Sequence, residues 1–98
     1  MIVKIHSSEG KKLVAIADSN LIGMKFEEKN RQLDLSGDFY KGEEKTQEEI
    51  ENIIHGAYML NIIGSISIEF AIKRGWIDKG QIIKIKDIPH AQVLLMGE

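Results

Sequence analysis

Hydrophobic and polar residues alternate in several short stretches of the chain, and this pattern predicts β-strands. Residues 2–6 read IVKIH and residues 12–17 read KLVAIA, two β-branched runs separated by SSEGK. This arrangement predicts a β-hairpin in which Gly10 takes a positive φ. Further strands are predicted over residues 31–36, 81–86 and 91–96, and DSNLIGMKFEE (18–28) predicts a single helical turn capped by Asp18 or Ser19.

Two helices are predicted in the middle of the chain. Thr46 opens TQEE, a capping box in which Thr46 and Glu49 satisfy each other's amides, and apolar residues follow at helical spacing. YMLNII (58–63) could end this helix or form a strand, and Gly64-Ser65 favours a strand that leads into a second helix. That helix ends at Gly75, so Trp76 is expected to fold back on Phe70 or Ala71.

The order of these elements predicts the fold class. Strands at both ends and helices in the middle are typical of an α+β protein. We therefore expect a two-layer sandwich, with a mostly antiparallel sheet and two main helices on one face. The 98 residues predict a single domain over 1–98, since a chain of this length can bury one core.

Composition excludes several classes of function. There are no cysteines, so disulfides, thiolate metal sites, iron–sulfur clusters and thiol nucleophiles are excluded. The net charge of −2 argues against a protein that coats nucleic acid by bulk attraction, and no DNA partner is predicted. No apolar run is long enough to span a bilayer and no signal peptide is recognised, so we expect a cytoplasmic protein without a membrane partner.

The sequence contains no motif that is typical of a metal or cofactor site. His6, His55 and His90 are far apart and form no ligand-spaced pair. Nucleotide-binding glycine patterns and nucleophile motifs are also missing. We therefore predict no metal, no cofactor and no catalytic residue, and the sequence favours a non-enzyme while leaving a small enzyme open as an alternative.

Three sets of residues are candidates for binding a ligand or an anion: the predicted helix start at 64–67, Asn61, and the pair His90 and Gln92. Gly64, Ser65 and Ser67 stand at a predicted helix start, where free amides attract phosphate or carboxylate, although Ser65 as a plain N-cap explains the same residues. Asn61 is a polar residue in an apolar strand and needs hydrogen-bond partners, from the main chain or from a ligand. The strand after Pro89 places His90 and Gln92 on one face and Ala91, Val93 and Leu95 on the other.

Two further groups are candidates for binding RNA. In DFYKG (38–42), Phe39 or Tyr40 could stack on a base with Lys41 near a phosphate, or the two rings could cover the core. Basic residues outnumber acidic residues over 73–90, which indicates either a local phosphate-binding patch or a sheet edge guarded by lysines. The basic residues are Lys73, Arg74, Lys79, Lys84 and Lys86.

The whole chain resembles a known family. IVKIH, GMKFEE, LDLS, FYKGEE, NIIGSISIEFAIKRGWI and IPHAQV, in this order, resemble the small archaeal family called domain of unknown function 424. The resemblance implies an archaeal, cytoplasmic, single-domain protein, and it assigns no activity, cofactor or catalytic residue. Small archaeal proteins of this kind often serve RNA or the ribosome.

These observations lead to three functional hypotheses. The first is a non-enzymatic accessory module that binds RNA or a ribosomal particle. The second is a small ligand-binding domain or enzyme with a pocket near Asn61, Ser65, His90 and Gln92. The third is a protein-interaction module or homodimer, and the sequence leaves the oligomeric state open.

Overall fold

The computed structural model describes residues 1–95 and confirms the α+β class. The helices are α1 (Gln47–Ile53) and α2 (Ser65–Lys73), and single 3-10 turns occur at Ser19–Leu21 and Lys79–Gln81. The strands are β1 (Ile2–Ser8), β2 (Lys11–Ala17), β3 (Lys25–Glu28), β4 (Arg31–Asp34), β5 (Glu43–Glu44), β6 (Ala57–Ile63), β7 (Ile83–Ile85) and β8 (Ile88–Leu94). Residue 96, the end of the predicted last strand, lies outside the described residues.

The main sheet has six strands in the order β5-β1-β2-β6-β8-β7, and β3 and β4 form a separate hairpin. β6 lies parallel to β2, and the other pairs in this sheet are antiparallel, so the sheet is mixed. β6 runs parallel to β2 because the connection between them, which contains the β3–β4 hairpin and α1, returns the chain to the end of the sheet where β2 begins. The predicted two-layer sandwich with both helices on one face stays a prediction.

Two tight turns connect neighbouring strands of the sheet. Glu9 (φ 53°) and Gly10 (φ 76°) join β1 to β2, and the positive φ predicted for Gly10 is confirmed. Lys86 (φ 52°) and Asp87 (φ 62°) join β7 to β8 in the same way but without a glycine. Positive φ at both central residues matches the twist of the flanking strands, which is why such turns recur in hairpins.

The predicted start of α1 and the predicted end of α2 are confirmed. The Thr46 side chain accepts from the Glu49 amide (3.1 Å), and the Glu49 side chain accepts from the Thr46 amide (2.8 Å). At the end of α2, Gly75 has a φ of 77°, and the Trp76 amide donates to the Ala71 carbonyl at 3.0 Å. The Trp76 ring meets Phe70 edge to face, with 5.2 Å between centroids.

The buried side chains form two clusters. Successive residues of the central strands belong to one cluster and the other in turn. The first contains Val14, Ile16, Leu60 and Ile62 from the sheet together with buried residues of both helices. The second contains Ala15, Ala17 and Ile63 from the sheet together with Leu33, Leu35 and Tyr40. Side chains therefore cover the sheet from both sides, and β4 contributes Leu33 to the second cluster.

The β3–β4 hairpin corrects the sequence-based prediction for residues 18–28. The predicted helical turn is present at Ser19–Leu21, but Lys25–Glu28 is a strand that pairs with β4. KFEE has only one large apolar residue, Phe26, so its periodicity carries almost no strand signal. The pairing with β4 and the contact of Phe26 with the second cluster hold it instead.

Candidate functional site

The start of α2 is held by a carboxylate from a distant part of the chain. Asp18, just after β2, accepts hydrogen bonds from the Ser67 amide (2.8 Å), the Ser67 hydroxyl (2.7 Å) and the Ile66 amide (3.1 Å). Asp18 and Ser67 are both buried. The free amides at this helix start are thus occupied by the protein's own anion.

Gly64 is the N-cap of α2, and the interpretation of Ser65 as the N-cap is wrong. Gly64 has a φ of 110°, and a Cβ built on it would lie 2.2 Å from Cγ of Asp18. Glycine is therefore required both by the backbone conformation and by the close approach of the carboxylate. The sequence offered Asp18 only as a cap of the turn at Ser19–Leu21, where its side chain makes no capping bond, and its contact with Ser67 was missed because 49 residues separate the two.

Three of the five predicted basic residues surround one groove. It lies between α2 and the β7–β8 edge, has a volume of about 430 Å³, and receives Lys73 from α2, Lys79 from the second 3-10 turn and Lys84 from β7. We call this the lysine groove. Its other lining residues are Ser65, Ile68, Glu69, Ile72, Ile82 and Pro89.

The other two basic residues, Arg74 and Lys86, do not line this groove. Arg74 pairs with Glu51 on α1, and its guanidinium carbon lies 5.2 Å from the centroid of the Phe70 ring. The Lys86 amide, in the β7–β8 turn, donates to a carboxylate oxygen of Glu28 at 2.8 Å. The basic residues over 73–90 are therefore not a single patch.

The aromatic loop lies at the other side of the sheet. Phe39 is 41 % exposed and stacks on His6 of β1, with 4.4 Å between the ring centroids. Tyr40 is 6 % exposed, and burial raises the pKa of its hydroxyl. Because Tyr40 belongs to the core, the prediction that it stacks on a base is wrong, whereas Phe39 and Lys41 remain accessible.

The aromatic loop and the lysine groove do not form one surface. Phe39 contacts β1, Lys84 belongs to β7, and strands β2, β6 and β8 lie between them. Four strand spacings correspond to roughly 19 Å. A ligand that touches both must therefore extend across the width of the sheet.

The structure brings together three of the four residues of the predicted ligand pocket. Asn61 on β6 lies directly opposite Gln92 on β8, and His90 lies opposite Ile63 on the same face. Asn61 is buried, Gln92 is exposed, and burial lowers the pKa of the half-buried His90. Ser65 does not join them, because it lines the lysine groove together with Pro89, which points to the other face of β8.

A row of side chains that the sequence did not reveal adjoins Asn61 and Gln92. His6, Leu13, Met59 and Leu94 are direct partners across four neighbouring strands. The Gln92 side-chain amide donates to the Met59 sulfur at 3.4 Å and connects the two rows. The register of the strands places these four side chains in one row, and no local sequence pattern predicts a register.

A depression of about 220 Å³ lies at one end of this row, and we call it the hairpin depression. The β1–β2 hairpin and the start of β6 form it, where a register shift leaves Tyr58 without a partner on β2. Its lining residues are His6, Ser8, Glu9, Lys11, Lys12, Leu13, Tyr58 and Met59.

The part of the chain that the structure describes contains neither a cluster of metal-ligating side chains nor a membrane-spanning helix. No group of three or more His, Cys, Asp or Glu side chains is arranged to hold a metal ion within residues 1–95. Over the same residues, no helix has the length and apolar character that crossing a membrane requires.

Comparison with known proteins identifies the family. A crystal structure of an uncharacterized conserved protein from Methanopyrus kandleri superposes with a TM-score of 0.81 and 20% sequence identity, covering 99% of this chain and 92% of that one. At this identity the likeness shows the fold. No protein with curated annotation matches the chain. The family model described as "Protein of unknown function (DUF424)" matches residues 6–96, which confirms the resemblance found in the sequence. The chain therefore belongs to the DUF424 family.

Proposed function

We propose that this protein is a non-enzymatic accessory module that binds RNA, or an RNA–protein particle of translation, through the lysine groove. The observation that carries the proposal is the convergence of Lys73, Lys79 and Lys84 on one groove from three separate elements. None of the ion pairs found between residues 1–95 involves these three lysines. Three unpaired ammonium groups around one concave surface favour an anionic ligand.

The charges of the groove favour a polyanion. Glu69 is the one acidic residue in the lining, so the groove carries a local charge of +2 although the chain carries −2. Phosphates respond to such a local excess of positive charge, and release of their counterions drives the association. The hydroxyl of Ser65 at the groove wall is a further donor for a phosphate oxygen.

Salt-dependent RNA binding tests this proposal. A triple variant, Lys73→Gln with Lys79→Gln and Lys84→Gln, is titrated with a fluorescent single-stranded RNA of about 12 nucleotides. Each lost phosphate contact lowers the slope of log K against log salt by about 0.7, so the slope is expected to fall by about 2. The matched control replaces Lys4, Lys25 and Lys45 by Gln, which changes the net charge equally at positions outside the groove. Equal losses of affinity in the two triple variants contradict the proposal.

The pairing of buried Asn61 with exposed Gln92 favours a second candidate function, a small-ligand-binding domain that uses this pair on β6 and β8. Two amide side chains on adjacent strands offer donors and acceptors to one ligand, and His90 adds a ring nitrogen beside them. Ser65 is not part of this version, because it lines the lysine groove.

The remaining expectations belong to the same proposal. The proposed role in translation would be carried out in the cytoplasm, and the archaeal source of the structural neighbour is consistent with the archaeal family implied by the sequence. The α2 and α1 side chains in the first buried cluster support the layered arrangement, with both helices on one face.

The alternative of a protein-interaction module or homodimer is tested by light scattering at two protein concentrations.

A further inference from the structure

We infer that the hairpin depression binds a small planar anion, a single aromatic ring that carries a phosphate or carboxylate group. The inference rests on the second candidate function, because Met59 lines the depression and contacts Gln92, the partner of Asn61. It is independent of the lysine groove, which is formed by α2 and β7.

The floor of the depression is apolar and open. Leu13 and Met59 are direct partners on β2 and β6, both are partly exposed, and Leu94 beyond Met59 is 59 % exposed. Thioether and leucine side chains give a deformable, polarisable surface on which a flat ring can lie. Such exposed apolar side chains contact one another along the row and so form a surface rather than isolated residues.

Tyr58 provides an aromatic wall beside this floor. It is the extra residue at the register shift between β2 and β6, since Lys12 pairs with Ala57 and Leu13 pairs with Met59. A shift of register re-aims the side chain of the extra residue, as β-bulges do beside functional sites. The Nζ atom of Lys11 lies 4.5 Å from the centroid of the Tyr58 ring, so an aromatic face and a cation border the same space.

His6 is held in a defined orientation at the opposite wall. Its Nε2 atom lies 2.9 Å from the Phe39 carbonyl oxygen, and its ring stacks on Phe39 with an interplanar angle of 17°. A carbonyl oxygen only accepts, so Nε2 carries the proton and Nδ1 is the second nitrogen available to a ligand. The ring is thereby ordered before any ligand binds, which reduces the entropy cost of binding.

Charge and size define the class of ligand. Lys11, Lys12 and Glu9 leave the lining with a charge of +1, and Ser8 adds a hydroxyl. The Lys12 ammonium already donates to the His55 carbonyl at 2.8 Å, so Lys11 is the cation free to meet an anion. The volume of about 220 Å³ is below the range of roughly 300–1,000 Å³ that holds drug-sized molecules, so one ring with one anionic group fits.

The experiment titrates isotopically labelled protein with phenyl phosphate and follows the backbone amide signals by NMR. We expect saturable shifts at Lys11, Tyr58 and Met59. Lys11→Gln is expected to weaken binding about five- to tenfold, because one charge contact near the surface is lost. Lys11→Arg keeps the cation and is expected to retain binding, and Lys84→Gln in the lysine groove is the matched control that leaves it unchanged.

Titration with uncharged benzyl alcohol separates two claims: that this face binds a small ligand, and that the ligand must be an anion. If benzyl alcohol binds this face as tightly as phenyl phosphate, the anion preference is wrong while a small-ligand face remains. If phenyl phosphate shifts only amides around Lys73 and Lys84, or binds Lys11→Gln unchanged, the hairpin depression is not its site. If neither compound moves the amides of Tyr58, Asn61 and Gln92, both the inference and the second candidate function are overturned, and RNA binding by the lysine groove is unaffected.

Discussion

The contact between Asp18 and Gly64 joins the end of β2 to the start of α2. Asp18 accepts three hydrogen bonds from Ile66 and Ser67, and its carboxyl group lies where a side chain on Gly64 would be. Hydrogen bonds to a buried carboxylate are stronger than those between neutral groups. A side chain hydroxyl and two amides thereby connect elements that are distant in sequence.

Gly64→Ala is expected to destabilise the protein by more than about 2 kcal/mol, because it combines a strained φ with displacement of Asp18. Gly10→Ala is the control, since Gly10 also has a positive φ but a Cβ there meets nothing within 4 Å. Strain alone is expected to cost about 1 kcal/mol at Gly10. Urea unfolding measures both variants. Equal losses would show that the contact of Gly64 with Asp18 does not matter for stability.

His90 is expected to make stability depend on pH in the weakly acidic range. Burial lowers its pKa below the ordinary value of 6.5, so the unfolded chain takes up this proton at a higher pH than the folded protein. The free energy of unfolding therefore falls as the pH drops below about 6.5 and stops falling below the folded pKa. The measurement is urea unfolding across this range, with the folded pKa taken from NMR titration of the ring.

His90→Gln is the control for this pH dependence. The variant is expected to lose the component between pH 6.5 and the folded pKa of His90, while the loss of stability in stronger acid remains. That second component comes from Glu49, Glu44 and Asp34, whose pKa values are lowered from 4.5 (Glu) and 3.8 (Asp) by hydrogen bonds, so their stabilisation disappears only as the pH falls below those values. An unchanged profile in His90→Gln would contradict the assignment.

At the scale of elements, the local signals of the helices explain why both were predictable. The α1 capping box needs only Thr46 and Glu49, and the end of α2 needs only Gly75 and Trp76. All four residues act within one or two turns of their own helix. Interactions of such short range can be predicted from residues that are close in sequence.

Thr46→Ala is expected to reduce stability by about 0.5–2 kcal/mol, because the Glu49 amide loses its acceptor at the start of α1. Thr46→Ser keeps a hydroxyl at the same position and is expected to stay close to the parent protein. Thermal unfolding followed by circular dichroism compares the two. A Ser variant as unstable as the Ala variant would indicate that the methyl group of Thr46, rather than its oxygen, stabilises the helix start.

The strands show the opposite behaviour, since their partners are distant in sequence. β3 was missed because KFEE lacks apolar alternation, and β7 is shorter than predicted because Asp78 and Gln81 form a capped 3-10 turn before it. The turn at Lys86 and Asp87 takes two positive φ values without glycine. The pairing of β7 with β8 holds these residues in a conformation that their own preferences disfavour.

At the scale of the whole molecule, the two buried clusters share the same central strands. Val14 and Ile16 point to one cluster, and Ala15 and Ala17 point to the other. A change in one cluster is therefore transmitted to the other through the backbone of β2. This geometry predicts one cooperative unit, in agreement with the single domain expected from the length of the chain.

Leu35→Ala is expected to lower the free energy of unfolding by about 2–5 kcal/mol, because it leaves a cavity beneath the β3–β4 hairpin. Trp76, which packs against the other cluster, reports the transition by fluorescence. In a cooperative unit the Trp76 midpoint shifts together with the circular dichroism midpoint. Ile62→Ala in the first cluster is the matched control, and a Trp76 midpoint that moves only in this control would show that the hairpin unfolds separately.

Residue chemistry and short-range sequence patterns were sufficient for the α+β class, the two helices with the start of α1 and the end of α2, the β1–β2 hairpin and the alternation of His90 and Gln92 along β8. Each of these depends on interactions between residues that are close in sequence. The pairing of Asn61 with Gln92, the contact of Asp18 with the start of α2, the convergence of three lysines and the burial of Tyr40 were decided by the folded chain. They depend on strand register and on packing between distant segments, where a shift by one residue would turn every side chain of a strand to the other face.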